Sequence, residues 1–224
     1  MIELSVTDTL VIYGLPVLLA ITVHEAAHGI VANWRGDRTA AILGRLTLNP
    51  LKHIDPIGTV IVPLLLAMSS GFVFGWAKPV PVSARNLKSP KSDMALISAA
   101  GPLSNFIMAF MWAVVGKLVV ILAMHYDIGS IEPYLMVCRV GVMVNLVLAW
   151  LNLIPIPPLD GSHILMAFLP RRLAYYLEYF ESIGLWVIVL LMLLGMLQGW
   201  LEVPVMWSQK IIMKKVNGIG FLNP

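Results

Sequence analysis

The chain has 224 residues, 59% of them hydrophobic and 12% charged, against about 45–50% apolar and about 25% charged in an ordinary soluble domain, which excludes a water-soluble globular fold. A formal charge of +3, gathered in a few loops of so apolar a chain, reports orientation in a bilayer and excludes nucleic acid as a partner. The lone cysteine, Cys138, excludes an intrachain disulfide and a cysteine-based metal cluster and reads as a small core residue.

The first apolar run, Leu10 to Val23, follows Glu3 and Asp8 with no Lys or Arg before it, unlike the basic start of a signal peptide, so it reads as a retained helix. That helix is predicted from Asp8 to Trp34, capped by Thr7 and Asp8 and stopped at Gly36-Asp37. Arg38 to Leu48 alternates weakly around Leu43-Gly44, with Thr39, Ile42, Leu46 and Leu48 as strand formers, which predicts a short β-hairpin. Ile57 to Trp76 is apolar but interrupted by Pro63 and by Ser69-Ser70-Gly71, so it is expected to enter the membrane without crossing it. Lys78-Pro-Val-Pro-Val-Ser then reads as extended chain.

Met94 to Met124 is predicted as a helix carrying GPLSN at 101–105, followed by a short polar loop, His125 to Glu132. A further helix from Pro133 to about Asn152 stops at Pro155, Pro157 and Pro158, and leads straight into IPPLDG. An apolar stretch to Leu169, an amphipathic segment around Arg171 to Ser182 and an apolar run from Ile183 to Leu197 complete the pattern. The fold class expected is therefore an all-α polytopic membrane protein. It is a transmembrane helix bundle with a small membrane-associated β-hairpin and a re-entrant segment, forming one domain over residues 1–224. Its catalytic core is expected over about 8–170 and its C-terminal helices over 171–224.

HEAAH at 24–28 is the strongest local signal. Residues four apart on a helix share one face, so the imidazoles of His24 and His28 can reach one zinc ion, while Glu25, one step round, can take a proton from the attacking water. A histidine pair and a carboxylate within an apolar membrane helix are costly there and normally functional. Catalytic zinc usually has three protein ligands, and the candidates for the third are His53, His125, His163, Asp37, Asp55 and Asp160. Asp160 is the best placed, since it follows a membrane helix ended by three prolines, where irregular backbone at depth is tolerated beside a wet cavity. Gly161 beside it permits a close approach.

HEAAH, GPLSN and NLIPIPPLDG, in this order on successive membrane segments, resemble the site-2 protease family of intramembrane zinc proteases, over residues 20 to 165. NPLKHIDPIGT and FGWAKPVPV look like the branch of that family that lacks a PDZ domain. The resemblance implies one zinc per chain with Asp160 as third ligand, and a membrane-spanning protein segment as substrate. It also implies that Asn152, with Pro155 and Pro157, helps to hold that substrate. Ser162 departs from the second glycine of many relatives without touching the ligand. Asn152 and His163 are the candidates for a donor to the developing oxyanion, and Asn105 and Asn145 for orienting substrate or bridging helices. The rival readings are an inactive relative that binds membrane helices as an adaptor, which intact Glu25 argues against, and a metal transporter, which would spread its ligands along the membrane depth.

Lys117 and Arg139 are assigned to snorkelling at helix ends, Trp34, Trp76 and Trp207 to the interfaces, and His53 to solvent. Orientation follows from parity. HEAAH lies late in its helix and Asp160 follows the end of another, so the two helices must run the same way, with one crossing between them. Residues 35–93 then form one side that holds Arg35, Arg38, Arg45, Lys52, Lys78, Arg85, Lys88 and Lys91, whereas the loop from His125 to Glu132 has no Lys or Arg. The positive-inside tendency places the active site towards the cytoplasmic face of a multi-pass protein of the cell membrane. Lys210, Lys214 and Lys215 fall on the other side if Ile183 to Leu197 crosses and the tail does not return.

Overall fold

The long apolar runs become helices in the computed structural model, which describes residues 5–61, 75–126 and 129–216. A first helical stretch passes from Val6–Thr9 through a π-helical Leu10–Gly14 into α1, Leu15–Arg35. Gly36 ends it in the left-handed region at φ 111°, where the Asp37 amide reaches back to the Ala32 carbonyl at 2.9 Å. α2 spans Pro90–His125 and α3 Glu132–Asn152. A hydrocarbon core takes about 20 helical residues to cross. Thr7–Arg35, α2 and α3 are each long and apolar enough to do so, which makes the chain a membrane protein. Beyond them lie α4 (Asp160–Phe168), α5 (Arg171–Tyr179), α6 (Glu181–Leu193) and α7 (Met196–Val216), with α5 and α6 bent by 65° at their junction.

α2 is the central element, packed against α1, α3 and α4. Its contact with α3 is close because Gly141 faces Trp112: a Cβ at 141 would lie 2.4 Å from the indole. Ala109 and Ala113 of α2 join Leu135, Cys138, Val142 and Leu146 of α3 in the main apolar cluster, which places Cys138 in the core as expected. α7 starts in a cluster with Leu151 and Ile154, at the end of α3. Its later turns join the cluster that holds Leu135, and Trp150 Nε1 donates to Ser208 Oγ at 2.9 Å on the way. α7 therefore packs along α3.

The expected hairpin over residues 38–48 does not form, and no strand occurs among the described residues. Asp37, fully buried, accepts from both the amide and the hydroxyl of Thr39, and this local turn starts a short helix, Thr39–Ile42. Gly44, at φ 63°, ends it, with the Arg45 amide bonded to the Ala40 carbonyl at 2.8 Å. Capping at both ends outweighs the weak strand preference of the residues between. The re-entrant segment predicted over Ile57 to Trp76 falls largely on residues 62–74, outside the described residues, but its two ends are seen. The Trp76 amide donates to the Gly58 carbonyl at 3.0 Å and Thr59 Oγ1 donates to the Trp76 carbonyl at 2.8 Å, so the chain returns to the place it left.

These turns fix one extended segment. Lys78 donates its amide to the His53 carbonyl at 2.9 Å, and the Arg45 guanidinium donates to the carbonyls of Lys78 and Pro79. Asp37 takes the Ser83 amide at 2.6 Å and the Asn86 side-chain N–H at 2.8 Å. His53, assigned to solvent above, is instead buried, its Nε2 2.9 Å from the Thr47 carbonyl, because the loop folds over it. A bridge from Arg35 to fully buried Asp93 ties the end of α1 to the start of α2.

Candidate metal centre

α1, α2 and α4 meet at one point. His24 and His28, one turn apart on α1, turn their Nε2 atoms to Asp160, the first residue of α4: the His24 nitrogen lies 3.1 Å from one carboxylate oxygen and the His28 nitrogen 3.4 Å from the other. Of the third-ligand candidates read from sequence, Asp160 alone joins the two histidines in a group whose ligand atoms all lie within 4.8 Å of one another. Gly161 explains how α4 comes so close: a Cβ there would lie 2.3 Å from the Leu153 carbonyl oxygen, so only glycine lets the loop, with its cis bond between Pro157 and Pro158, fold back on the end of α3.

The Nδ1 atoms decide what this group can hold. His28 Nδ1 lies 2.7 Å from the Ile97 backbone carbonyl, which only accepts, so the proton sits on Nδ1 and Nε2 presents a lone pair. His24 Nδ1 lies 2.6 Å from the side-chain oxygen of Asn105, with the same result. Two nitrogen lone pairs and two carboxylate oxygens thus converge with no donor among them, and Asp160 Oδ2 is buried without a hydrogen-bond partner. With both rings neutral, such a cluster suits a cation. Two neutral imidazoles and one carboxylate are a donor set of catalytic zinc, which keeps a further position open. Space is reserved for it by Gly101 of α2, where a Cβ would sit 2.5 Å from both Nε2 atoms.

Glu25 stands outside the ligand group. Half-buried, it accepts the Val80 amide on Oε2 at 2.8 Å, so the extended segment fixed by Asp37, Arg45 and His53 lies across the carboxylate. Sequence reasoning missed this contact; the alternating prolines of Lys78-Pro-Val-Pro-Val were its available signal, since they mark a stiff extended strand. A cleft of about 660 Å³ opens in front of these groups and reaches Asn152 and His163, with walls of Ile97, Leu148, Leu185 and Ile188. The α6 wall, with Glu181 at its start, was also not foreseen.

The other predicted site residues separate. Asn152 lines the cleft, with one side-chain N–H given to the Leu148 carbonyl at 2.9 Å, and His163 lines it too. Of the prolines before Asp160, Pro158 lines it and Pro155 and Pro157 do not; Pro157 is buried, its carbonyl under Gly184 of α6. Asn105 is fully buried behind His24, away from the cleft.

Comparison with known proteins gives the same picture. The profile of Peptidase family M50 matches residues 118–195, a stretch that includes Asp160. The chain is 38% identical over 178 residues to "Putative zinc metalloprotease YwhC" of Bacillus subtilis, covering 78% of this chain and 76% of that one. It is 29% identical over 194 residues to "Putative zinc metalloprotease Rip2" of Mycolicibacterium smegmatis, covering 85% and 70%. To "Zinc metalloprotease MJ0392" of Methanocaldococcus jannaschii it is 32% identical over 112 residues, covering 49% and 30%. No solved structure matches the chain.

Proposed function

Because the chain belongs to peptidase family M50, the site-2 protease family of zinc metalloproteases, we propose that it hydrolyses peptide bonds within membrane-spanning protein segments, with Glu25 as base beside zinc held by His24, His28 and Asp160. The observation that carries this reading is the meeting of a His-His-Asp cluster and a further carboxylate in one apolar cleft among helices of membrane length. Zinc held there supplies Lewis acidity that makes water a competent nucleophile near neutral pH. Glu25 takes the proton as water attacks the scissile carbonyl, and Asn152 or His163 donates to the oxygen that gains charge.

A helical substrate has its backbone groups paired to one another and must be unwound first. The extended segment through Val80 is suited to receive it by strand addition: Pro79 and Pro81 carry no N–H and the Val80 N–H is given to Glu25, which leaves Val82 as the donor. Cleavage of a single-span substrate in vesicles containing zinc tests the reading, with the cut mapped by mass spectrometry. Cuts confined to the substrate's soluble loops would overturn the intramembrane assignment.

Asn152→Ala is expected to lower cleavage by about 10- to 100-fold, the loss that follows removal of one hydrogen-bond donor to a developing charge or of one orienting contact, with zinc content and thermal stability unchanged. Cleavage at the parent rate would leave the residue only its bond to Leu148.

The site opens to the cytoplasmic face. The meeting of His28 with Asp160 puts the ends of α1 and α3 together, with α2 as the crossing between them, and the bonds joining Gly58 and Thr59 to Trp76 support a segment that turns back. Eight basic residues from Arg35 to Lys91 share that side, with Arg171 and Arg172 beyond. Single cysteines at Arg45 and Lys88, in a Cys138→Ser background, are expected to label together from the cytoplasmic side. Labelling from opposite sides would refute the re-entrant path.

A further inference from the structure

The residue that fixes which nitrogen of His24 is free for the metal is, we propose, Asn145, a positioning residue on α3 that touches neither metal nor substrate; the inference rests on the ligand set proposed above. A neutral imidazole has one N–H, and its place is set by the partner of the other nitrogen. For His28 that partner is the Ile97 backbone carbonyl, which cannot change its character. His24 depends on Asn105 instead. A primary amide has an accepting end and a donating end of almost the same shape. Turned over, Asn105 would present N–H to His24 Nδ1, move the imidazole proton to Nε2 and take that nitrogen out of coordination.

What holds Asn105 the right way round is its other end. Its N–H groups donate to Asn145 Oδ1 at 2.9 Å and, more weakly, to the Ala20 carbonyl at 3.2 Å. Asn145 cannot turn over either, because its own N–H donates to the Gly141 carbonyl at 2.8 Å, one turn back on α3. The direction of donation is thus set at a backbone carbonyl and passed through two side chains to the imidazole, across α3, α2 and α1. Both asparagines are fully buried, and neither borders the cleft.

The test uses the full chain in detergent, with zinc affinity read by competition with a chelator and thermal stability measured beside it. Asn145→Leu is expected to weaken zinc binding by about tenfold, the low end of the range for outer partners of a ligand. Asn105→Asp removes the ambiguity, since a carboxylate accepts from His24 Nδ1 whichever way it is turned. In that background Asn145→Leu is expected to leave zinc affinity unchanged or to raise it. Parent affinity in the single Asn145→Leu variant, or the same loss in both backgrounds, would overturn the proposal in favour of plain helix bridging. Should Asn145→Leu not fold, Asn145→Ala carries the same expectation, and unfolding of both would also overturn it. Failure of the ligand set looks different: the parent would then bind zinc no more tightly than a His24→Ala variant.

Discussion

Glu25→Gln is expected to abolish hydrolysis, by about a thousandfold, while one zinc per chain stays bound. The amide keeps the size of the carboxylate and its carbonyl oxygen can still accept the Val80 N–H, so the extended segment stays in place. What is lost is the basic oxygen, and a positioned general base contributes about 10² to 10⁴ in rate. None of the ligand atoms is touched, because Glu25 lies outside the His24, His28 and Asp160 group. Zinc content by elemental analysis and cleavage of a single-span substrate, measured on the same preparation, check both halves. A variant that loses zinc along with activity would make Glu25 part of the metal site.

Gly101→Ala is expected to empty the metal centre although residue 101 is no ligand. A Cβ there would lie 2.5 Å from Nε2 of both histidines, closer than the 3.0 Å that real Cβ contacts respect. The new methyl group and a metal about 2.0–2.1 Å from those nitrogens would compete for one space. Alanine favours helix over glycine by about 1 kcal/mol, which offsets part of the about 1–3 kcal/mol that overpacking costs, so the variant should still fold, with melting at or somewhat below that of the parent without zinc. Asp160→Ala should match it in zinc content by a different route, the loss of a ligand. Full zinc occupancy in Gly101→Ala would show that the rings have room to retreat, and the glycine would then be explained by helix packing alone.

Much of this was legible in the sequence for a physical reason: apolar runs of bilayer length leave the backbone few alternatives to helix, so the helical stretch from Val6 to the end of α1, and α2 and α3, lie within a few residues of their predicted bounds. The i, i+4 histidines needed no tertiary information. Asp160 was reachable because the prolines before it force irregular backbone. The hairpin failed because strand propensity over residues 38–48 was weighed without the Asx turn of Asp37 and the left-handed Gly44, both visible as residue types but not as partners. Contacts between distant positions were out of reach of any local pattern. Asn105 was read as a substrate contact or a bridge, and its bond to His24, 81 residues away, has no local signature. The Val80 amide is bonded through its backbone, so the prolines on either side of it could mark an extended segment but not its partner.

The unlike anchoring of the two histidines has a consequence for how the site tolerates genetic change. His28 leans on the main chain at position 97, and a carbonyl survives any substitution there. Mutations at 97 reach that ligand only through packing. His24 leans on a side chain, and that side chain on another. With the proposed ligand set, inheritance of a working metal centre depends on two asparagines outside it, and the burden of random mutation falls unevenly on a pair of residues that look equivalent in the motif.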